Sequence, residues 1–78
     1  MNEFDIRLCP WYIGTLDGVP ARIYEYAGYK AGLTTEYRDY PHAWTFLYTL
    51  VCPDGTILKD IDLAEVNRIV FNKSKNED

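Results

Sequence analysis

Asp17-Gly18 stands between two short runs, WYIGTL at residues 11–16 and VPARIYEY at residues 19–26. A two-residue hairpin turn that matches the twist of paired strands needs positive φ at both central positions, and Asp-Gly meets that need at little steric cost. The dipeptide therefore ties the two runs into an antiparallel hairpin, and the first third of the chain is organised by local strand pairing rather than by long helices. Pro20 has no N–H to donate, so the returning strand begins at an edge or with that position facing solvent.

Other segments carry the same signature. In FDIRL, residues 4–8, Phe4, Ile6 and Leu8 alternate with Asp5 and Arg7, which predicts a half-buried strand. In HAWTFLYTLV, residues 42–51, Trp44, Phe46, Tyr48 and Leu50 share one face and a mixed set shares the other, the pattern of a central strand. Pro53-Asp54-Gly55 turns the chain into TILKDI, residues 56–61. Between the hairpins, GYKAGLTTEYRDYP from Gly28 to Pro41 shows no sustained alternation and reads as a long loop. After residue 61 the period changes. Asp62 and Glu65 have capping-box spacing, and Leu63, Val66, Ile69 and Val70 recur at helical spacing. Their β-branched side chains leave a closing strand open as the alternative over residues 63–71.

The expectation is a single β-rich domain over residues 1–72 with a polar tail at 73–78. Its fold class is mainly β: a small, strongly bent antiparallel sheet or open barrel with a short C-terminal helix or helical turn. The succession GVPARIYEYAG, long insertion, YTLVCPDGTILKDIDLAEV resembles the layout of SH3-like barrels, including KOW and Tudor-type variants. That resemblance covers roughly residues 10–70, rests on element order, and implies a binding scaffold more than an enzyme.

Seventy-eight residues allow one small core, and 47% apolar content suits a packed globule. The net charge of -4 works against direct nucleic-acid binding unless the basic groups share a face. MNEFDIRLCPWYIG has acidic residues where a secretory signal has basic ones, and no stretch approaches the roughly 20 apolar residues of a membrane span. The reading is a cytoplasmic protein without membrane association, with Cys9 and Cys52 as free thiols. Each cysteine precedes a proline and is biased to extended backbone, so a disulfide stays open in an oxidising setting.

No catalytic, metal or cofactor site is expected. His42 is the single histidine, and no pair of cysteines has zinc spacing. GTLDG and GYKAG match no phosphate-binding fingerprint. Asp54, Asp60, Asp62 and Glu65 lie within twelve residues, and turn and cap duties already explain Asp54 and Asp62.

The seven tyrosines are the feature that stands out. Trp11, Trp44, Phe46 and one or two tyrosines suffice for a core of this size, which sends the remaining rings outward. With Ile23 inward, Arg22, Tyr24 and Tyr26 fall on the opposite face. Tyr29, Tyr37 and Tyr40 on the loop, with Arg38 among them, extend that surface, and Asp60 and Asp62 form an acidic edge. Tyrosine combines large contact area with little rotamer entropy to lose, which suits a contact surface. These eight positions, Tyr24, Tyr26, Tyr29, Tyr37, Arg38, Tyr40, Asp60 and Asp62, are the candidate partner-binding site. The expected function is a non-catalytic acidic protein that occupies a surface of a larger protein, such as a nucleic-acid-handling complex with a basic groove. In kind this is similar to small phage-encoded inhibitors of host defence or nucleic-acid enzymes. The alternative is an SH3-like module binding nucleic acid or an extended peptide through aromatic and basic side chains.

Overall fold

The computed structural model describes residues 4–39 and 43–75. Its elements are a 3-10 turn at Ile6–Leu8, strands β1 (Trp11–Leu16), β2 (Val19–Tyr26), β3 (Tyr29–Asp39), β4 (Ala43–Val51) and β5 (Ile57–Ile61), and helix α1 (Leu63–Lys75). The strands form one antiparallel sheet in the order β1-β2-β3-β4-β5.

Asp17 and Gly18 take φ of 51° and 82°, and Leu16 pairs with Val19 across them. Ala27 and Gly28 do the same at 51° and 85°, with Tyr26 opposite Tyr29, so a second two-residue turn leads directly into β3. The segment expected as a loop from Gly28 is therefore the longest strand of the sheet. Its alternation is broken by a register shift between Leu33 and Thr35. Such a bulge inserts one residue and exchanges the faces of those that follow. At the third described turn Gly55 has φ of 95°, the Cys52 N–H donates to the Thr56 carbonyl at 2.8 Å, and the Thr56 N–H donates to Asp54 Oδ1 at 2.9 Å.

FDIRL is not a strand. The Arg7 N–H donates to Asp5 Oδ1 at 2.9 Å and the Cys9 N–H to the Ile6 carbonyl at 3.0 Å, which closes a 3-10 turn. Ile6 is then buried and Leu8 exposed, where alternation would have put both on one face. The Ile6 N–H donates to Asn67 Oδ1 at 2.9 Å and fastens this turn to α1.

Asp62 caps α1: its Oδ1 accepts the Glu65 N–H at 2.8 Å, and its carbonyl accepts the Val66 N–H at 3.0 Å. The Glu65 carboxylate pairs forward with Arg68. The helix option over residues 63–71 is the one adopted, and the helix continues to Lys75, past residue 72 where a tail was expected to start.

The core lies between α1, the 3-10 turn and one sheet face, with Ile6, Tyr29, Ala31, Tyr48, Leu50, Val66 and Val70 at its centre. The other face holds a smaller cluster. Leu16 and Ile23 are buried there without helical cover, because the sheet curls. Leu16 Cδ1 reaches the backbone of Gly32, two strands away. Lys59 on β5 meets Asp17 of the first turn at 2.5 Å, so the two edges of the sheet approach each other. Thr34 and Thr49 join hydroxyls at 2.7 Å. The sheet stays open, with β1 and β5 at opposite ends of the strand order, and does not close into a barrel.

Candidate interaction surface

From Leu63 to Val70 the apolar stripe of α1 rises only about 10 Å. The nine residues of β4 run about 30 Å. The helix therefore covers the Tyr48–Leu50 half of the strand and leaves the other half bare. Beyond Tyr48, β3 and β4 continue as a two-stranded ribbon, since β2 pairs with β3 only over Tyr29–Ala31 and β5 pairs with β4 only from Tyr48 onward. Strand alternation keeps Trp44 and Phe46 on the face that carries α1. Trp44 is 55% exposed and Phe46 47%, and their rings stack at 6.2 Å with planes 13° apart. Across the ribbon Arg38 pairs with Trp44 and Glu36 with Phe46. The Arg38 guanidinium lies 6.0 Å from the Trp44 ring.

On the same face, at the β1 edge, Trp11 is 49% exposed and the Arg22 guanidinium sits 4.0 Å over its ring. Exposed Ile13 pairs with Arg22. Between this edge and the ribbon lies a pocket of about 260 Å³ lined by Arg22, Tyr24, Leu33 and Tyr48. The open end of the helix-bearing face is thus rimmed by two tryptophans, each beside an arginine.

This placement reverses the division of rings expected from sequence. Trp11, Trp44 and Phe46, assigned to the core, stand in solvent, while Tyr29, assigned to a contact loop, is 3% exposed and central to the core. Tyr24 packs partly against the core and lines the pocket. Tyr26 is half exposed with its ring tilted against Phe4 at 4.8 Å. Tyr37 is exposed on the ribbon, but it pairs with Thr45 and so occupies the face opposite Arg38. Tyr40 and His42 lie outside the described residues. Asp60, at φ of 58°, accepts a hydrogen bond from Thr35 Oγ1 at 3.3 Å, and Asp62 is the helix cap. The seven described candidate positions do not share one face. The signal that would have found the bare patch is the mismatch between a short helical stripe and a nine-residue apolar strand.

A second pocket, of about 380 Å³, opens beside Cys52, Pro53, Ile69 and Lys73. Cys52 and Cys9 are free, and burial pushes both thiols up, towards the protonated and less nucleophilic form. No helix among the described residues is long and apolar enough to cross a membrane. Comparison with protein-family models, curated proteins and solved structures finds nothing that matches this chain.

Proposed function

We propose that the chain is a non-catalytic binding protein whose aromatic and arginine-bearing face occupies a surface of a larger protein partner. One observation carries the proposal: Trp11, Ile13, Trp44 and Phe46 are all exposed on the single sheet face where Arg22 and Arg38 stand beside the tryptophans. Tryptophan and arginine are enriched among the side chains that dominate binding energy. Burying a large apolar side chain contributes about 1.5–3 kcal/mol, and these half-exposed rings retain a sizeable part of that for a partner.

The non-catalytic part of the reading draws on how the polar groups are engaged. Asp54 holds a turn, Asp62 caps a helix, Asp5 pairs with Arg7, and both thiols are held protonated. An inhibitor that offers an acidic edge to a basic groove would use Asp60 and Asp62, which here already accept bonds within the fold. The resemblance in layout to SH3-like modules enters this proposal only as a similarity of kind, a curved sheet used as a docking platform, since the insertion between the hairpins is strand β3.

A second reading is favoured by the two arginine–tryptophan pairs. Stacked rings flanked by cations suit single-stranded nucleic acid, although the net charge of -4 opposes it. Photocrosslinking separates the two. With a benzophenone side chain at position 46, the protein reading expects crosslinks to a discrete protein that are lost when the group is moved to position 37 on the other face. Crosslinks to nucleic acid, or equal crosslinking from both faces, would contradict it.

A further inference from the structure

Three of the residues that line the pocket between the two tryptophan-bearing rims carry hydrogen-bond donors. Arg22 and Tyr24 come from β2 and Tyr48 from β4, while Leu33 of β3 supplies an apolar wall. The Trp11 ring engages the face of the Arg22 guanidinium. Stacking of that kind uses the π-surface and leaves the N–H donors, which lie in the guanidinium plane, available for a planar oxyanion. Other cations of the fold are differently engaged: Arg7 holds Asp5, Arg68 holds Glu65 and Lys59 holds Asp17. Among the described residues no carboxylate pairs with Arg22.

Tyr48 is buried as a residue, and burial pushes its phenol up, so its oxygen carries a proton to donate across the neutral range. Arg7 and Asp5, joined as an ion pair, both act on Tyr48 from beside the pocket. Asp5 stands with Arg7 and is neutralised by it, and Glu36 on the same face of β3 pairs across to Phe46, farther along the ribbon. The Arg7–Asp5 pair adds no net charge, so Arg22 alone makes the pocket cationic within an acidic chain.

We infer that this pocket receives a carboxylate side chain, Asp or Glu, from the partner protein, with the in-plane donors of Arg22 and the hydroxyls of Tyr24 and Tyr48 on its oxygens and its aliphatic stem against Leu33. The inference rests on the docking surface proposed above and names the chemistry at its centre. Charge complementarity selects the occupant, because Arg22, with no carboxylate partner among the described residues, and two phenols present donors and only weak acceptors. Charge-assisted, bidentate contacts of this kind are the stronger hydrogen bonds.

The test is an NMR titration of the full chain with three short capped peptides that differ only at the central residue, Glu, Gln or phosphoserine. The Arg22 Nε–H and the Tyr24 and Tyr48 ring signals report binding. The expected result is saturable millimolar binding of the Glu peptide at those signals and at least tenfold weaker binding of the Gln peptide. Arg22→Gln should weaken the Glu peptide by a similar factor, Arg22→Lys should restore part of it, and Tyr48→Phe should weaken it a few-fold. Equal behaviour of the Glu and Gln peptides, binding of the phosphoserine peptide alone, or displacement to other signals would overturn the inference. So would preferential binding of a short oligonucleotide at the same signals. With the crosslinked partner in hand, Arg22→Gln separates the two levels. Unchanged partner affinity in Arg22→Gln together with loss in Trp44→Ala removes the carboxylate pocket and leaves the docking surface standing. Unchanged affinity in both removes both.

Discussion

Gly32 is where the curl of the sheet is most exposed to a single methyl group. A Cβ built there would lie 2.8 Å from the Arg22 carbonyl oxygen, 2.8 Å from Leu16 Cδ1 and 3.3 Å from Ala21 Cβ. Leu16 can turn aside only by leaving a buried site, and the Arg22 oxygen is backbone, so β2 itself must shift. Forcing a methyl into such a site costs about 1–3 kcal/mol. Against this, replacing glycine restricts the unfolded chain and returns about 0.4–1 kcal/mol. The expected net effect of Gly32→Ala is a loss of about 1–2 kcal/mol, or roughly 5–15 °C in Tm for a domain of this size. Gly14→Ala is the control. Its Cβ would meet Ile23 Cδ1 at 2.9 Å and the Tyr12 ring at 3.2 Å, side-chain atoms with no backbone atom among them, so it should cost less even though Ile23 is buried. Thermal melts by circular dichroism measure both variants. A Gly32→Ala protein as stable as its parent, or less affected than Gly14→Ala, would refute the argument that the β1–β2 hairpin presses on β3.

Three further outcomes are expected. Tyr29→Ala should cost about 3–5 kcal/mol through an unfilled core site, while Tyr37→Ala stays within about 0.5 kcal/mol, as melts of the two will compare. Asp62→Ala should cost about 1 kcal/mol by removing the cap of α1, with the loss read in denaturant titration and little change in its slope. Stability should be flat near neutrality and fall on both sides. Burial raises the folded-state values of Cys9, Cys52 and Tyr48 above their ordinary 9.0 and 10.0, so their contribution is intact below those values and lost as pH rises past them. Hydrogen bonds from Arg7 to Asp5 and from Thr56 to Asp54 hold those carboxyls below 3.8, so their contribution is present above that pH and lost beneath it. Stability that climbs above about pH 9 would contradict the burial of these groups.

What the sequence made legible was written in local chemistry. Asp17-Gly18 and Pro53-Asp54-Gly55 demand particular backbone angles, and Asp62 followed by Glu65 announces a helix start, so these features could be read without tertiary context. β3 was hidden for two reasons. Ala27-Gly28 makes the same kind of turn as Asp17-Gly18, but alanine carries no preference for positive φ and so gives no signal. The bulge after Leu33 then shifts the alternation by one, which erases the period-two pattern a strand is recognised by. FDIRL failed in the opposite direction: three alternating apolar residues fit a strand, yet Asp5 turns the chain by accepting the Arg7 N–H. Side-chain exposure depended on the reach of α1. Trp44 and Leu50 share a strand face and differ only in whether the helix extends over them, a quantity no local pattern carries.

The ribbon places Trp44 and Tyr37 on opposite faces within one short stretch of β3 and β4, so one comparison tests which face docks. Affinity for the partner protein is measured by calorimetric titration with Trp44→Ala and Tyr37→Ala, each first confirmed to melt near the parent. Trp44→Ala should weaken binding by at least about 2 kcal/mol, close to thirtyfold, and Tyr37→Ala by less than about threefold. Equal losses in the two variants, or a larger loss in Tyr37→Ala, would contradict the assignment of the helix-bearing face as the docking surface.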